Sequence, residues 1–287
     1  MKLDDRLLQD IIELQGENEI SAAIELSAII KPQDAESESH RFSTKGLPCY
    51  YYGKREAETV VVNLNPGVKA EVCDEKWSEV SEDRKRLPID HFIELYHQDQ
   101  REFGKNDANR YDEFDIKLAA FLTAWENSGI GLASNPDWTD KVYCKYAKTE
   151  VLSNKLQLEL IPYASAKFAI DAKHIDLLFP YVDTLLEEIF SCERRYIIFA
   201  SAIFESIFKH YNKWDERKGS FKLLEPQTFP LKNRNGKCRV VEISYKGNTH
   251  YALIANTFPS QSLCKAFSLM QKYGAECYLE YVNKTTK

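Results

Sequence analysis

A chain of 287 residues, 44% of them hydrophobic, is long enough to bury one large core or two small ones. With 29% charged residues, a net charge of −6 and a pI of about 5.7, the mean composition argues against overall basic binding of nucleic acid, although a local patch escapes that exclusion. No apolar run reaches the roughly 18 residues that a membrane span requires. The seven dispersed cysteines, none in a Cys-x-x-Cys pair, fit reduced thiols better than a disulfide framework, a zinc site or an iron–sulfur cluster.

Residues 3–15 carry Leu7, Leu8, Ile11, Ile12 and Leu14 at helical spacing, on a charged, amphipathic start with no h-region, as expected of a cytoplasmic protein. A second short helix is expected at 21–30 and a polar connection at 31–47. Residues 1–45 read as a helical N-terminal extension and 46–287 as one α/β domain. Thr59-Val-Val-Val is a buried strand entering the tight loop Asn63-Leu-Asn-Pro-Gly. The stretch at about 68–115 is a charged excursion. From Glu71 to Asp115 it holds fourteen acidic and seven basic residues, a local net of −7, and reads as a solvated segment or lid. His91 and His97 lie in it, and the six histidines show no metal-binding spacing.

Asp115 to Ser128 has a clear amphipathic pattern. Leu156 to Tyr163 alternates and stops at Pro162, as a strand does. A helix over 175–190, a strand at 195–200 and a helix at 202–211 follow. Thr228 to Ile254 reads as paired strands, with Asn235-Gly236 and Gly247-Asn248 as tight-turn dipeptides. The last strand, His250 to Ala255, runs into Asn256-Thr-Phe-Pro-Ser-Gln-Ser, and a helix is expected over about 263–273. Strands alternating with helices indicate a mostly parallel sheet flanked by helices. In such sheets ligands bind beyond the carboxyl ends of the strands, where both unusual loops lie.

Asn63-Leu-Asn-Pro-Gly resembles the first motif of the mismatch-specific uracil/thymine-DNA glycosylases, usually Gly-x-Asn-Pro-Gly. Phe258-Pro-Ser-Gln-Ser resembles their second motif, a Pro-Ser loop after the last long strand. The intervening elements follow in the same order, and the similarity covers roughly residues 48 to 280. The resemblance implies an α/β three-layer sandwich of the uracil-DNA glycosylase-like superfamily, acting without cofactor or metal. It implies hydrolysis of the N-glycosidic bond of a flipped uracil or mismatched or damaged base, with DNA or a nucleobase or nucleotide ligand as partner. We expect a monomer.

A base-excising enzyme extrudes its nucleotide, positions a water and supports charge on the sugar and the departing base. By the resemblance, Asn65 positions that water, with Asn63 and Ser260 beside it in the catalytic set. An amide has no ionisable carboxylate, so Asn65 would act by positioning. Pro66 and Gly67 would fix a sharp turn and allow close backbone approach. The same three residues also read as a plain turn. Pro259, Ser260 and Ser262 would grip phosphate, with Gln261 beside them in the substrate-binding set, while Ser260 or Ser262 equally suits a helix N-cap. Leu263 is a wedge candidate or a core residue. Residues 209–246, with ten Lys/Arg and four acidic residues, could track a phosphate backbone or form a solvated hairpin face.

Four residues depart from the family pattern. Asn63 stands in place of Gly, bringing a side chain toward the base. Phe258 stands in place of a polar residue and could stack on a base. Gln157 and Glu159 occupy the strand where uracil-selective relatives place a base-reading Asn, with Tyr163 following in the substrate-binding set. Strand alternation puts Gln157 and Glu159 on one face. An inward Glu favours a base that offers N–H groups over uracil. These departures support an alternative, a non-catalytic nucleobase, nucleotide or nucleic-acid binding protein of the same fold. A protein-interaction role for the N-terminal helices and the acidic segment is a third reading.

Overall fold

The computed structural model describes residues 1–30, 41–67, 75–102, 113–126, 154–166, 168, 170–231, 234–258 and 267–286. Its strands are β1 (Tyr51–Gly53), β2 (Thr59–Asn63), β3 (Lys155–Glu159), β4 (Tyr196–Phe199), β5 (Gly219–Leu223), β6 (Gln227–Leu231), β7 (Arg234–Tyr245) and β8 (Asn248–Ile254). They form one sheet in the order β1-β3-β2-β4-β8-β7-β5, with β6 paired to β7 off that path. The centre, β3-β2-β4-β8, is parallel. β1 closes one edge antiparallel, and β7 and β5 extend the other. The molecule is therefore α/β with a mixed, largely parallel central sheet.

Helices cover both faces, and the strand sequences show why. All five residues of β2 are buried, as a parallel strand between two helical layers requires. Val60 and Val62 enter one apolar core together with Leu156, Leu158, Ile197, Phe199, Ala252 and Ile254. Val61 enters the opposite core with Ile198, Leu253 and Ala255. Alternation along each strand thus feeds two cores.

The first core is closed by α1 (Leu3–Gln15), α2 (Ser21–Leu26), α5 (Ile89–Arg101), α7 (Phe179–Ile189) and α8 (Ile203–Tyr211). The single-turn helices α3 (Glu75–Ser78) and α4 (Glu82–Lys85) precede α5. Leu3, Leu7, Ile11 and Leu14 of α1 join the same core as Val60 and Val62, so the N-terminal helices pack directly onto the sheet domain. The second core is closed by α6 (Glu113–Glu126) and α9 (Phe267–Thr285). A side-chain carbon at Gly274 would collide with the backbone carbonyl of Phe121, so glycine is what lets α9 lie so close to α6.

Several boundaries differ from the sequence pattern. Asn235-Gly236 is not a turn. Both residues lie within β7, where Asn235 pairs with Pro230 and Gly236 with Phe229. The ring of Phe229 occupies the space beside Gly236, so the glycine serves packing. The next hairpin turns on Lys246 and Gly247, both at positive φ, and Asn248 already pairs with Tyr245. β3 stops at Glu159, although its backbone continues to bond to the loop after β2. Helix α9 runs on to Thr285.

The described residues of the acidic excursion include α3, α4 and α5. α5 buries Phe92 and Tyr96 in the first core. His97 of α5 stacks on Tyr51, and its Nδ1 lies 2.7 Å from the Tyr51 hydroxyl. Its other nitrogen faces Asp4, which Arg55 holds together with Glu188. This cluster ties α1, β1, α5 and α7 into one unit. Among the described residues no helix is long and apolar enough to cross a membrane, and no group of His, Cys, Asp and Glu could hold a metal ion.

Candidate functional site

The parallel strands deliver their loops to one rim. Val62 of β2, Phe199 of β4 and Ile254 of β8 stand side by side in register. On the other flank of β2, Asn63 is level with Glu159 of β3. The Asn-Pro-Gly loop and the segment leading to Phe258 therefore leave the same carboxyl rim, two strands apart. That separation is roughly 10 Å from the usual strand spacing.

The loop after β2 is held rigidly by the loop after β3. The Leu160 amide donates to the Asn63 carbonyl at 3.0 Å, Ile161 to Leu64 at 2.8 Å and Ser165 to Pro66 at 3.2 Å. Gly67 and Ser165 complete an isolated parallel bridge. Asn65 is fastened between the two loops. Its Nδ2 donates to Ser165 Oγ at 2.8 Å, to the Pro66 carbonyl at 3.1 Å and, more weakly, to the Tyr163 carbonyl at 3.4 Å. The amide's donor end is thus spent inside the protein. Its Oδ1 accepts no hydrogen bond among the described residues, and the side chain is half-buried. Pro66 is buried. Gly67 is exposed, has no positive φ, and a side-chain carbon there would meet nothing within 4 Å among the described residues. The turn does not need a glycine for its own conformation.

Asn63, Gln157 and Glu159 meet on the second face of the sheet. Glu159 Oε1 accepts from Asn63 Nδ2 at 3.0 Å and from Gln157 Nε2 at 2.9 Å. Gln157 Oε1 accepts from Lys155 Nζ at 2.6 Å. All four side chains are buried, forming a polar ladder along β3 that ends at the rim. Lys155 belongs to it by the parity that places Gln157 and Glu159 together, so it was findable from sequence.

Tyr163 is split between two environments. Its carbonyl reaches Asn65, whereas its hydroxyl turns into the first core and donates to Asp10, 3.1 Å from Oδ2. Tyr50 donates to the same carboxylate oxygen at 2.7 Å. Burial, opposed by these two phenols, raises the Asp10 carboxyl from 3.8 to about 7. Burial also pushes the Tyr50 and Tyr163 hydroxyls well above the ordinary phenol range.

Phe258 is buried in the second core, edge-on to Phe121 with ring centroids 5.5 Å apart. It is a packing residue in this arrangement. Just before it, Thr257 is anchored to Tyr273 of α9 and to Lys237 of β7. Asn256 donates to the Glu205 carboxylate of α8. Pro259, Ser260, Gln261, Ser262 and Leu263 lie outside the described residues. The structure brings together Asn63, Asn65, Pro66, Gly67, Gln157 and Glu159, with Tyr163 contributing backbone.

Sequence reasoning missed Ser165 and Asp10. Ser165 carries no signal beyond being small and polar in a loop after a strand. Asp10 was legible, because it falls on the apolar stripe of α1 between Leu7 and Leu14.

A comparison with protein-family models finds no match, and a comparison with curated proteins finds none either.

Proposed function

We propose that this chain is a DNA glycosylase-like protein of uracil-DNA glycosylase-like, three-layer architecture, hydrolysing the N-glycosidic bond of a base turned out of its stack. The supporting observation is the state of Asn65. Its donor end is locked by Ser165 and by backbone carbonyls, so the carbonyl oxygen is the group left at the carboxyl rim. A fixed acceptor at that place suits holding a water by one of its hydrogens. In the reaction the water oxygen bonds to the anomeric carbon, the carbon–nitrogen bond breaks, and the base leaves with the electron pair. The water's proton ends on the base or on solvent. The parallel β3-β2-β4-β8 core, covered on both faces, supports the same architecture.

The test is incubation with duplexes carrying uracil, hypoxanthine, or mismatched thymine, cytosine or adenine, read as abasic sites. We expect cleavage of at least one, and a loss of roughly a hundredfold in rate for Asn65→Ala, the scale of removing one positioned polar group. No abasic product across the panel, or full activity in the variant, rules the assignment out.

A second reading is favoured by one observation: Asn63 fills the rim with a side chain bonded to Glu159. On that reading the site holds a nucleobase or nucleotide without cleaving it. Thermal stabilisation by nucleotides with no abasic product identifies this case.

A further inference from the structure

The polar ladder on β3 fixes which way its amides face. An amide's oxygen and nitrogen are nearly alike in shape, so orientation must come from the partners. Lysine has donors and no acceptor, whereas an ionised carboxylate has acceptors and no donor. Lys155 Nζ therefore requires Gln157 to present its oxygen, at 2.6 Å, and turns the Gln157 nitrogen toward Glu159. Glu159 likewise requires Asn63 to present its nitrogen. The Asn63 side-chain oxygen, Oδ1, is what remains. It is buried and has no hydrogen-bond partner among the described residues, in a residue only 8% exposed.

A buried carbonyl without a partner costs a fold the desolvation of that group, and such atoms call for an explanation. Asn63 is the last residue of β2, at the rim where open parallel sheets bind ligands. Two residues on, Asn65 has spent its donors inside the protein. Among the described residues these two side chains thus present two amide oxygens against one spare amide N–H, that of Asn63, whose Nδ2 makes a single hydrogen bond. We infer that the site takes a base whose recognised edge carries an exocyclic amino group, of the cytosine or adenine kind, with Asn63 Oδ1 accepting from it. An amino group offers two N–H for the two oxygens, whereas uracil and hypoxanthine offer one ring N–H and place beside it a carbonyl oxygen, which a second acceptor repels. The inference rests on the nucleobase-site reading proposed above and names its ligand class.

The experiment compares thermal stabilisation of the full chain by deoxycytidine and deoxyadenosine monophosphates with that by deoxyuridine and deoxyinosine monophosphates. Abasic-site assays run on duplexes carrying the same four bases, unpaired or mismatched. We expect the amino-bearing pair to bind at least about tenfold more tightly, the scale of one unsatisfied buried polar group. Glu159→Gln should bring the preference close to parity. A glutamine there can donate to Asn63 Oδ1, which releases the amide to turn and present its nitrogen. Asn63→Ala, which deletes the acceptor, should also erase the preference and serves if Glu159→Gln does not fold. Equal or tighter binding of the uracil and hypoxanthine forms overturns the inference, as does a preference that survives both variants. Abasic product from uracil duplexes with no discrimination sinks the inference and leaves the glycosylase reading standing. No binding and no product with any of the four sinks both.

Discussion

Asp10 sits on α1 where the helical stripe calls for an apolar side chain, and two tyrosine hydroxyls meet it there. Its carboxyl is raised from 3.8 to about 7, so the folded protein keeps the proton over a window in which the unfolded chain has lost it. The sign follows directly. Stability contributed by this group is full below about pH 4 and is lost as the pH rises toward 7, by up to roughly 1.4 kcal/mol per unit. Asp10→Asn retains an acceptor for the phenols and removes the titration. We expect the melting temperature of the wild type to fall relative to that of the variant between pH 5 and 7. Parallel curves would show that the carboxylate is already ionised in the fold. At this same scale the sequence reading was uneven. Asn65 and Glu159 were visible because their loop and strand parity were visible. The bonds that decide their roles, to Ser165 and Asn63, join residues about a hundred positions apart, and no local pattern encodes them.

Among the elements, β3 and α9 are the instructive cases. β3 has apolar residues on one face and Lys155, Gln157 and Glu159 on the other, so its alternation predicted a strand with a polar side. That this polar side is buried could not be read, since alternation reports faces and not what covers them. The glycine signals misled in one place. Asn235-Gly236 has the composition of a hairpin turn, yet Gly236 lies in β7 because the Phe229 ring needs its space. In α9 the sequence pattern faded at Gly274, a poor helix former, and the helix continues because that residue admits α6 at close range. Gly274→Ala should therefore destabilise the protein by about 2 kcal/mol, despite alanine's better helix propensity. A shift of the urea midpoint to lower concentration measures it. A more stable variant would mean that α6 and α9 can separate without cost.

For the whole molecule, the two-faced sheet was foreseeable from strand–helix alternation, and the parallel centre follows because a helix between two strands returns the chain to the end of the sheet where the first strand began. The packing of the N-terminal helices was less so. Their stripe of leucines and isoleucines announced an apolar partner without naming it. It is the core beneath β2 and β4. Through Asp10 this docking reaches the site, because Tyr163 bonds α1 with its hydroxyl and Asn65 with its carbonyl. One residue therefore bridges the chain's opening helix and its ligand rim. Anything that steadies Asn65 must also steady the backbone of Tyr163, and with it the seat of α1. Amide hydrogen exchange in residues 7–14, far along the chain from the rim, should slow when a ligand occupies the site. Exchange unchanged by a bound nucleotide would mean that helix and loop breathe independently. If they do not, the first turns of this polypeptide act as a remote gauge of occupancy, readable by any probe attached there.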